Sequence, residues 1–481
     1  MKKMFFLGLA LLLACPIFAQ LKLAEAFSDH MVLQQGKYVR IWGTANKNQK
    51  VFVKFAGQTA IANVGADGKW MLNLKPMKAS TKPRQMVVTS GKNKLILSDV
   101  LIGEVWLCGG QSNMDYQMRL LPGYEQPYKG ENLAQKELDK ASAPLVRLMQ
   151  VEKDMKKDVL PTQGWKPVNK ESLSEFSAIG YFFAKYLSDS LQVPVGVIQS
   201  SWGGTQIESW TPKEAYRQSK LFSHDIHSNT YRMEDVGDRY ERLIHPLMPY
   251  TMSGILWYQG ENNITENENN LPYYGDKMKI LIKSWRKGFE NESLPFYFVQ
   301  LASHAYSQDR NALGLTWHAL PDMWMQQRRA LELPHTGMVT ANDLVDNMRQ
   351  VHHSYKWVLA ERFMRIALNQ VYGRKNMEYQ GPTAKKATRV GDDLIVEFDH
   401  ADGLHTSDGK APSWFTAKCE RNHRLQFFKA EGRIEGNKVI LRCTNNSKVI
   451  KGVGGGWDEI SVPNLYNGSG LPMIPFYLDF E

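Results

Sequence analysis

The chain has 481 residues, of which 43% are hydrophobic, 22% are charged and 11% are aromatic. This composition excludes a disordered or collagen-like polymer, and the length allows about two to four folded domains. The net charge is +10, but the basic residues are dispersed and often adjoin acidic ones. The excess of basic residues therefore indicates a solvated surface rather than a nucleic-acid-binding groove.

The N-terminal residues are typical of a secretory signal peptide. Lysines precede an apolar run that ends at Ala14, and small residues follow up to Ala19. The run is too short to cross the ~30 Å hydrocarbon core of a membrane as a helix. We expect residues 1–19 to be removed and the mature protein to be exported, to the periplasm or outside the cell. Residues 12–15 also resemble a lipoprotein processing site, which would instead leave a lipid anchor on Cys15.

The cysteines beyond this segment are Cys108, Cys419 and Cys443. Three thiols do not form a disulfide framework. An oxidising compartment permits a Cys419–Cys443 bridge if the two strands are adjacent. Cys108 lies in an apolar stretch, so we expect it to be a small buried hydrophobe and not a catalytic thiol.

Residues 20–99 predict an N-terminal β-sandwich domain. Short apolar alternations, such as that over residues 51–55, are separated by turn signals such as residues 66–68. A similar texture returns in residues 381–481, which we expect to form a C-terminal β-rich region.

Residues 100–380 predict an α/β domain, because short apolar runs alternate there with segments of helical periodicity. The strand candidates are 104–108, 193–199, 254–258, 296–301 and 337–341. The helix candidates are 172–191, 278–285, 323–331 and 355–371, and Ser172 with Glu175 forms a possible capping box at the start of the first. Five strands separated by helices predict a parallel five-stranded sheet with helices on both faces.

Polar residues gather directly after these strands. Residues 109–114 follow the first strand, 201–205 the second, 259–262 the third and 342–346 the fifth, with His352 and His353 before the last helix. Ligands bind at the carboxyl ends of the strands in such sheets. We therefore expect serine, carboxylate and histidine side chains to converge on one edge of the sheet.

Ser112, His352 and an aspartate meet the requirements of a serine hydrolase. A serine hydroxyl is a poor nucleophile until a base takes its proton, and the base needs a third group that holds its tautomer and stabilises its charge. Asp343 and Asp346 are both open as that third group.

Donors for a tetrahedral oxyanion are also at hand. The candidates are the backbone N–H of Ser112, a backbone N–H in the Gly203-Gly204 turn, and the side-chain amide of Gln259. Glycine lets the backbone approach a substrate without a Cβ clash, and either Gly203 or Gly204 could donate. Alternatively, Gln259 and Glu261 tie loops together, and for Glu261 a structural anchor is the favoured interpretation.

The residues after the strands carry a family resemblance. Residues 103–114 are Gly-Glu-Val-Trp-Leu-Cys-Gly-Gly-Gln-Ser-Asn-Met, and residues 257–262 are Trp-Tyr-Gln-Gly-Glu-Asn. With further blocks at 27–34, 464–467 and 470–472, essentially the whole mature chain resembles the sialate O-acetylesterase family of the SGNH hydrolases. The resemblance implies a flavodoxin-like three-layer α/β/α domain flanked by β-sandwich-like regions. It also implies a metal-independent serine esterase, with no cofactor, that removes O-acetyl groups from glycans.

The resemblance assigns roles to single residues. Ser112 matches the family's nucleophile and His352 its histidine, while His353 takes the place of a proline and is expected to be a solvent-facing helix cap. Relatives often carry Asp two residues before the histidine, where this chain has Gln350, which cannot stabilise an imidazolium by charge. Some relatives use the first Asp of an Asp-x-x-Asp stretch, which matches Asp343.

Other interpretations stay open. Relatives act on acetylated sialic acids or acetylated plant polysaccharides, so the acetylated sugar is not defined. His224 and His227 look like a metal pair, and a metal-dependent deacetylase is one alternative, although no third ligand is evident. A non-catalytic glycan-binding protein is another, since Trp202, Trp210 and Trp257 could stack on a sugar rather than belong to the core.

Overall fold

The structure is a computed structural model that describes residues 20–480, apart from 122–126, 128–129, 155–159, 224–234, 267, 309–313, 422–423 and 446–448. The predicted signal segment, with Cys15, lies outside these residues, and so do His224 and His227. No helix within the described ranges is long and apolar enough to cross a membrane.

The N-terminal part of the chain forms two β-sheets. The strands are β1 (Lys22–Leu23), β2 (Val32–Gln34), β3 (Val39–Thr44), β4 (Lys50–Phe55), β5 (Gln58–Asn63), β6 (Lys69–Leu74), β7 (Ser80–Ser90) and β8 (Asn93–Gly110). β3 pairs with β1 and β6 in one sheet, while β5, β4, β7 and β8 form the other, with β2 beside β8. Val51, Val53 and Phe55 are buried in β4, as their alternation with polar residues predicts.

β8 joins the N-terminal strands to the central sheet. It is 18 residues long, and side chains are partly or fully exposed up to Asp99 but buried from Val100 onward. The predicted domain boundary at 99/100 therefore falls inside a continuous strand. Most buried apolar residues of the N-terminal and α/β parts also share one hydrophobic cluster, whereas the C-terminal strands have their own.

The central sheet is mainly parallel. Its remaining strands are β9 (Val146–Val151), β10 (Thr162–Pro167), β11 (Val195–Ser201), β12 (Gly254–Tyr258), β13 (Phe296–Gln300) and β14 (Thr336–Thr340). The five predicted strands correspond to β8, β11, β12, β13 and β14, and their spatial order β11-β8-β12-β13-β14 is that of a flavodoxin-like sheet. They thus share one edge at their carboxyl ends.

The predicted strand count of five is wrong. Over the described residues, β9 adds a sixth parallel strand beside β11, and β10 pairs antiparallel with β9 at the edge. In β9, Arg147 interrupts the apolar pattern. Its side chain is buried and forms an ion pair with Asp99 at 3.1 Å. A strand with a buried arginine does not produce the apolar run on which the prediction depended.

Helices cover both faces of the sheet. They are α1 (Ser112–Asp115), α2 (Leu133–Lys140), α3 (Lys170–Ser174), α4 (Ala178–Leu191), α5 (Lys213–Arg217), α6 (Glu261–Glu266), α7 (Tyr274–Gly288), α8 (Ala319–Arg329) and α9 (Lys356–Gln370). Short 3-10 or π-helical turns lie at Ile207–Trp210, Tyr240–Ile244, His245–Leu247, Glu268–Tyr273, Tyr306–Gln308 and Ala330–Glu332. α4 packs against α9, and α7 packs against α8.

Alternate residues of β8 face the two helical layers. The Trp106 ring lies 5.0 Å from that of Phe183 in α4. Gly109 faces the opposite way, because a Cβ there would lie 3.2 Å from the Trp257 ring, which itself contacts Trp285 of α7 at 5.5 Å. From Val100 onward, both faces of β8 are therefore buried, as in other parallel sheets.

The predicted helix over 172–191 is two helices. Asn169 caps α3 by accepting a hydrogen bond from the Ser172 N–H at 2.9 Å, and the Ser172 hydroxyl accepts one from the Asn169 N–H in return. The capping box is therefore Asn169 with Ser172, not Ser172 with Glu175. α4 starts after Ser177, whose hydroxyl donates to the Met114 carbonyl at 2.6 Å. That tertiary contact interrupts the helix.

The C-terminal part is β-rich. Its strands are β15 (Thr383–Val390), β16 (Asp393–Asp399), β17 (His405–Thr406), β18 (Phe415–Arg421), β19 (Arg424–Glu435), β20 (Lys438–Cys443), β21 (Ile450–Gly455), β22 (Leu465–Tyr466) and β23 (Phe476–Asp479). β15, β16, β20, β19, β18, β21 and β23 form one antiparallel sheet in that order, and β17 pairs with β22.

Candidate active site

Ser112 lies at the start of α1, directly after β8. The turn that presents it is pressed against the end of β12, since the Gln111 N–H donates to the Tyr258 carbonyl at 2.9 Å. Gly110 has a φ of 135°, and a Cβ there would lie 2.1 Å from the same carbonyl oxygen. Only glycine fits this turn, which leaves the Ser112 side chain partly exposed at the carboxyl edge of the sheet.

The turn after β11 lies against Ser112. The Trp202 N–H donates to the Gly110 carbonyl at 3.0 Å, and a Cβ on Gly203 would lie 3.2 Å from the Ser112 Cβ. Gly204 has a φ of 73° and open space around its Cβ position. Over the described residues, the N–H groups of Ser112, Gly203 and Gly204 make no hydrogen bond within the protein. Three backbone donors are thus available next to the serine.

Gln259 joins several loops. It is 1% exposed, and its Nε2 lies 3.0 Å from the Thr205 carbonyl, 3.1 Å from Gln111 Oε1 and 2.7 Å from Asn263 Oδ1. Its Oε1 accepts from the Tyr274 hydroxyl at 2.8 Å. The two amide hydrogens already have three acceptors, so this arrangement corresponds to the loop-tying interpretation of Gln259 and not to a free oxyanion donor.

His352 lies in the loop between β14 and α9, with its ring 5.3 Å from that of Tyr116, which follows α1. Its Nε2 is buried and has no hydrogen-bond partner in the described part of the chain. Burial, with the positive charges of Lys356 and His304, lowers the pKa of His352 to about 4. The imidazole is therefore neutral at pH 7 and has a free nitrogen that can accept a proton.

His353 is buried, and the expectation of a solvent-facing cap is wrong. It is 4% exposed, and its Nε2 lies 2.9 Å from the Tyr258 hydroxyl. Burial lowers its pKa well below the ordinary value, with a further contribution from Lys356. The Nε2 of His353 is therefore already hydrogen-bonded, whereas the Nε2 of His352 is available to accept a proton.

Asp343 does not contact His352 through a hydrogen bond. Its two carboxylate oxygens accept from the two terminal nitrogens of Arg362, at 2.8 Å and 2.6 Å, and Oδ2 also accepts from the Tyr466 hydroxyl at 3.1 Å. The Asp343 and Arg362 side chains are only 8% and 6% exposed. The structure therefore places Asp343 in a buried ion pair that holds its loop to α9 and to the C-terminal region.

Asp346 and Gln350 also point to other partners or to solvent. Asp346 Oδ1 accepts from the Tyr355 hydroxyl at 2.9 Å, and Gln350 is exposed. Over the described residues, no carboxylate is hydrogen-bonded to His352. Ser112 and His352 thus lie at one sheet edge, whereas neither Asp343 nor Asp346 is hydrogen-bonded to His352.

Comparison with known proteins identifies the family. Residues 102–366 match the family model described as carbohydrate esterase, sialic acid-specific acetylesterase. The chain belongs to this family. The human sialate O-acetylesterase is 28% identical, with 95% of this chain and 92% of the human protein covered, and that of Pongo abelii is 30% identical at the same coverage. A carbohydrate acetylesterase from Xanthomonas citri has a structure that matches with a TM-score of 0.82 at 28% identity, covering 95% of this chain and 99% of that one.

This esterase is therefore a carboxylic ester hydrolase with a mixed α/β domain, a large sheet and a C-terminal β-rich region. Within the described ranges, no group of three His, Cys, Asp or Glu side chains is arranged to hold a metal ion. The predicted pair His224 and His227 lies outside those ranges.

The tryptophans of this esterase divide into core and rim. Trp210 and Trp257 are 0% and 1% exposed and belong to the core, so neither stacks on a sugar. Trp202 is partly exposed beside Gly203, and the Arg239 guanidinium lies 4.7 Å from the centroid of its ring.

One buried cluster at the site of this esterase was missed from the sequence. Asn113 Nδ2 donates to Glu261 Oε1 at 2.6 Å and to the Val351 carbonyl at 3.1 Å, while the Lys356 ammonium donates to Asn113 Oδ1. The expected anchoring role of Glu261 agrees with these contacts. Lys356 gives no sequence signal beyond its place at a helix start, because a lysine there is ordinarily solvated.

Proposed function

We propose that this protein hydrolyses O-acetyl esters on carbohydrates, with Ser112 as nucleophile and His352 as general base. The observation that carries the proposal is that the partly exposed Ser112 has unbonded backbone N–H groups beside it and shares its sheet edge with a neutral histidine whose Nε2 is free. The names of the human and Xanthomonas citri relatives support acetylated sugars as substrates.

The reaction proceeds through an acyl-enzyme. The Ser112 Oγ attacks the acetyl carbonyl carbon while the His352 imidazole accepts the hydroxyl proton. The ester C–O bond then breaks, and the imidazolium gives the proton to the departing sugar oxygen, which leaves as a hydroxyl. A water molecule, deprotonated by His352, attacks the acetyl carbonyl carbon. The bond between this carbon and Ser112 Oγ breaks, the imidazolium returns the proton to Oγ, and acetic acid leaves and ionises to acetate.

Backbone donors stabilise the oxyanion in this proposal. The N–H groups of Ser112 and of Gly203 or Gly204 are unbonded and adjacent, and each well-aimed donor lowers the barrier by about 2.7–4 kcal/mol. Gln259 contributes to the oxyanion hole only if its amide leaves one of its three present acceptors. Asp343 stays the sequence-based prediction for the third triad member.

The proposal extends to export and to domain organisation. Residues 1–19 act as the signal peptide, with lipidation of Cys15 as the alternative. Residues 100–380 form the catalytic domain, and residues 20–99 and 381–481 flank it and shape the approach of the glycan.

Replacement of Ser112 by Ala tests the function. The variant should fold with the wild-type melting temperature and release no acetate from an activated acetyl ester. Ser174→Ala is the matched control, because Ser174 is a partly exposed serine on α3 whose hydroxyl donates to the Lys170 carbonyl of the same helix. Retained activity in the Ser112 variant would exclude the proposed nucleophile.

The preferred substrate is identified by comparing acetylated glycans. Acetate release is measured with O-acetylated sialic acid, xylan, xyloglucan and pectin, and the ratio of kcat/KM values ranks them. Loss of activity on chelation without unfolding would favour a metal-dependent deacetylase, and glycan binding without any turnover would favour a non-catalytic protein.

A further inference from the structure

A buried polar triplet, Asn113, Glu261 and Lys356, lies beneath the catalytic edge. The exposed fractions are 1% for Asn113, 6% for Glu261 and 0% for Lys356. Each residue belongs to a different segment at this edge: the Ser112 turn, the start of α6 after β12, and the start of α9 next to the His352 loop. The amide of Asn113 connects them, because it bonds Glu261 and Val351 through Nδ2 and Lys356 through Oδ1.

The triplet contains a buried acid and a buried base, joined through the Asn113 amide. Burial raises the pKa of Glu261, and the Lys356 ammonium opposes that change. One carboxylate oxygen, Glu261 Oε2, has no hydrogen-bond partner among the described residues. A buried carboxylate is destabilised when no opposite charge lies near it. Lys356 is the nearby cation that favours the ionised form of Glu261.

The Lys356 ammonium lies near two tyrosine rings that each neighbour one histidine of the loop. It is 5.3 Å from the ring centroid of Tyr116, whose ring contacts His352, and 5.8 Å from that of Tyr258, which is bonded to His353. The titratable groups around it are therefore Tyr116, Tyr258, Glu261, His352 and His353. His304 and Arg362 add positive charge near His352 and His353, respectively.

We propose that Lys356 is a positioning residue of the esterase reaction, which acts on the Ser112 turn through Asn113 and on His352 through its charge. This inference rests on the proposed function. The ammonium disfavours a second positive charge on the nearby imidazole, so His352 stays unprotonated under acidic conditions. The same repulsion makes the imidazolium a stronger acid, which assists proton transfer to the departing sugar oxygen.

Three single variants separate the charge of Lys356 from its hydrogen bond. Lys356→Gln keeps a donor for Asn113 but removes the charge, and Lys356→Arg keeps both. Arg365→Gln is the matched control, because it removes a cation from the same helix where that cation bonds Glu361 and the Glu378 carbonyl. For each full-length variant, kcat and KM for an activated acetyl ester are measured across pH, together with the melting temperature.

The expected result is that the acidic limb of the pH profile of kcat/KM moves to higher pH in Lys356→Gln. In Lys356→Gln, the pH at which kcat/KM falls to half should rise by about one unit toward the ordinary histidine value. Lys356→Arg and Arg365→Gln should keep the wild-type midpoint. A Lys356→Gln enzyme that is less active but has an unchanged midpoint would overturn the proposal, because a purely structural lysine would lower activity equally at every pH.

A double variant covers the case in which Lys356→Gln does not fold. Lys356→Met combined with Glu261→Gln removes both buried charges, so neither is left uncompensated. The acidic limb of its pH profile of kcat/KM should also move to higher pH. A profile with the wild-type midpoint would overturn the inference. Failure of the proposed function is separate, since it would appear as retained activity in Ser112→Ala whatever the Lys356 variants do.

Discussion

The side-chain amide of Asn113 donates a hydrogen bond to the Val351 carbonyl at 3.1 Å, across 238 residues of sequence. These two residues are the immediate neighbours of Ser112 and His352. A buried amide, itself held by Glu261 and Lys356, therefore joins the segments of the proposed nucleophile and the proposed base. Such supporting contacts matter because small displacements of reacting groups reduce catalysis strongly.

The two glycines beside Ser112 should respond differently to substitution. Gly203→Ala places a Cβ 3.2 Å from the Ser112 Cβ. The serine must then shift, and we expect kcat to fall by about tenfold or more. Gly204→Ala meets no neighbouring atom but holds alanine at a φ of 73°, which costs about 1–2 kcal/mol of stability. Steady-state kinetics and denaturant unfolding of both variants check this. A larger loss of kcat in Gly204→Ala than in Gly203→Ala would contradict the expected division into a catalytic and a stability effect.

Asp343→Asn should destabilise the protein. Removal of one partner from a buried ion pair costs roughly 3–5 kcal/mol, and the Asp343–Arg362 pair is buried. The sequence-based triad hypothesis adds that folded Asp343→Asn loses catalysis while Asp346→Asn does not. Both are tested by unfolding in urea and by kcat measured well below the melting temperature. Wild-type kcat in folded Asp343→Asn would leave Asp343 with a structural role alone.

The wild-type enzyme should stay active in mild acid. With the pKa of His352 lowered to about 4, kcat/KM for an activated ester should be level below pH 7 and reach half its value near pH 4. A midpoint near the ordinary histidine pKa of about 6.5 would contradict this assignment.

The same histidine affects stability. Its pKa is lower in the folded than in the unfolded protein, so the unfolded state binds more protons between about pH 6.5 and 4. The contribution of His352 therefore lowers stability as pH falls through this window. His352→Gln should show a weaker fall in melting temperature over the window than the wild type.

Cys419 and Cys443 should form a disulfide on mild oxidation. The expected adjacency of their strands is wrong, because β19 lies between β18 and β20 in the sheet. The two Sγ atoms nevertheless lie 3.8 Å apart. A bridge would close a loop across 24 residues and stabilise the fold by roughly 3 kcal/mol. Mass spectrometry should find the bridge in oxidised protein, and Cys443→Ser is the control. Oxidation that leaves all thiols free would show that the strands cannot approach further.

Local sequence patterns were sufficient to predict the strands that carry the site and the loops at their carboxyl ends. The apolar runs of β8, β11, β12, β13 and β14 were recognisable because strands buried on both faces are almost continuously hydrophobic. In a parallel sheet, the residues that follow such strands meet at one edge. Ser112, the glycine turn and the histidine loop could therefore be placed together without any coordinates.

The tertiary structure alone decided the partners of the polar side chains. β9 could not be predicted from the sequence, because Arg147 interrupts its apolar pattern and is buried only because Asp99 lies beside it. Asp343 met the sequence requirement for a triad acid, but Arg362 and Tyr466 hold it instead.

Sequence by itself thus determined the family, the fold class and the position of Ser112, since these depend on contiguous or periodic residues. It did not determine the burial of His353 or the role of Lys356. A buried charge or amide takes the partner that chain packing brings within about 3 Å, and separation along the sequence carries no information about that distance.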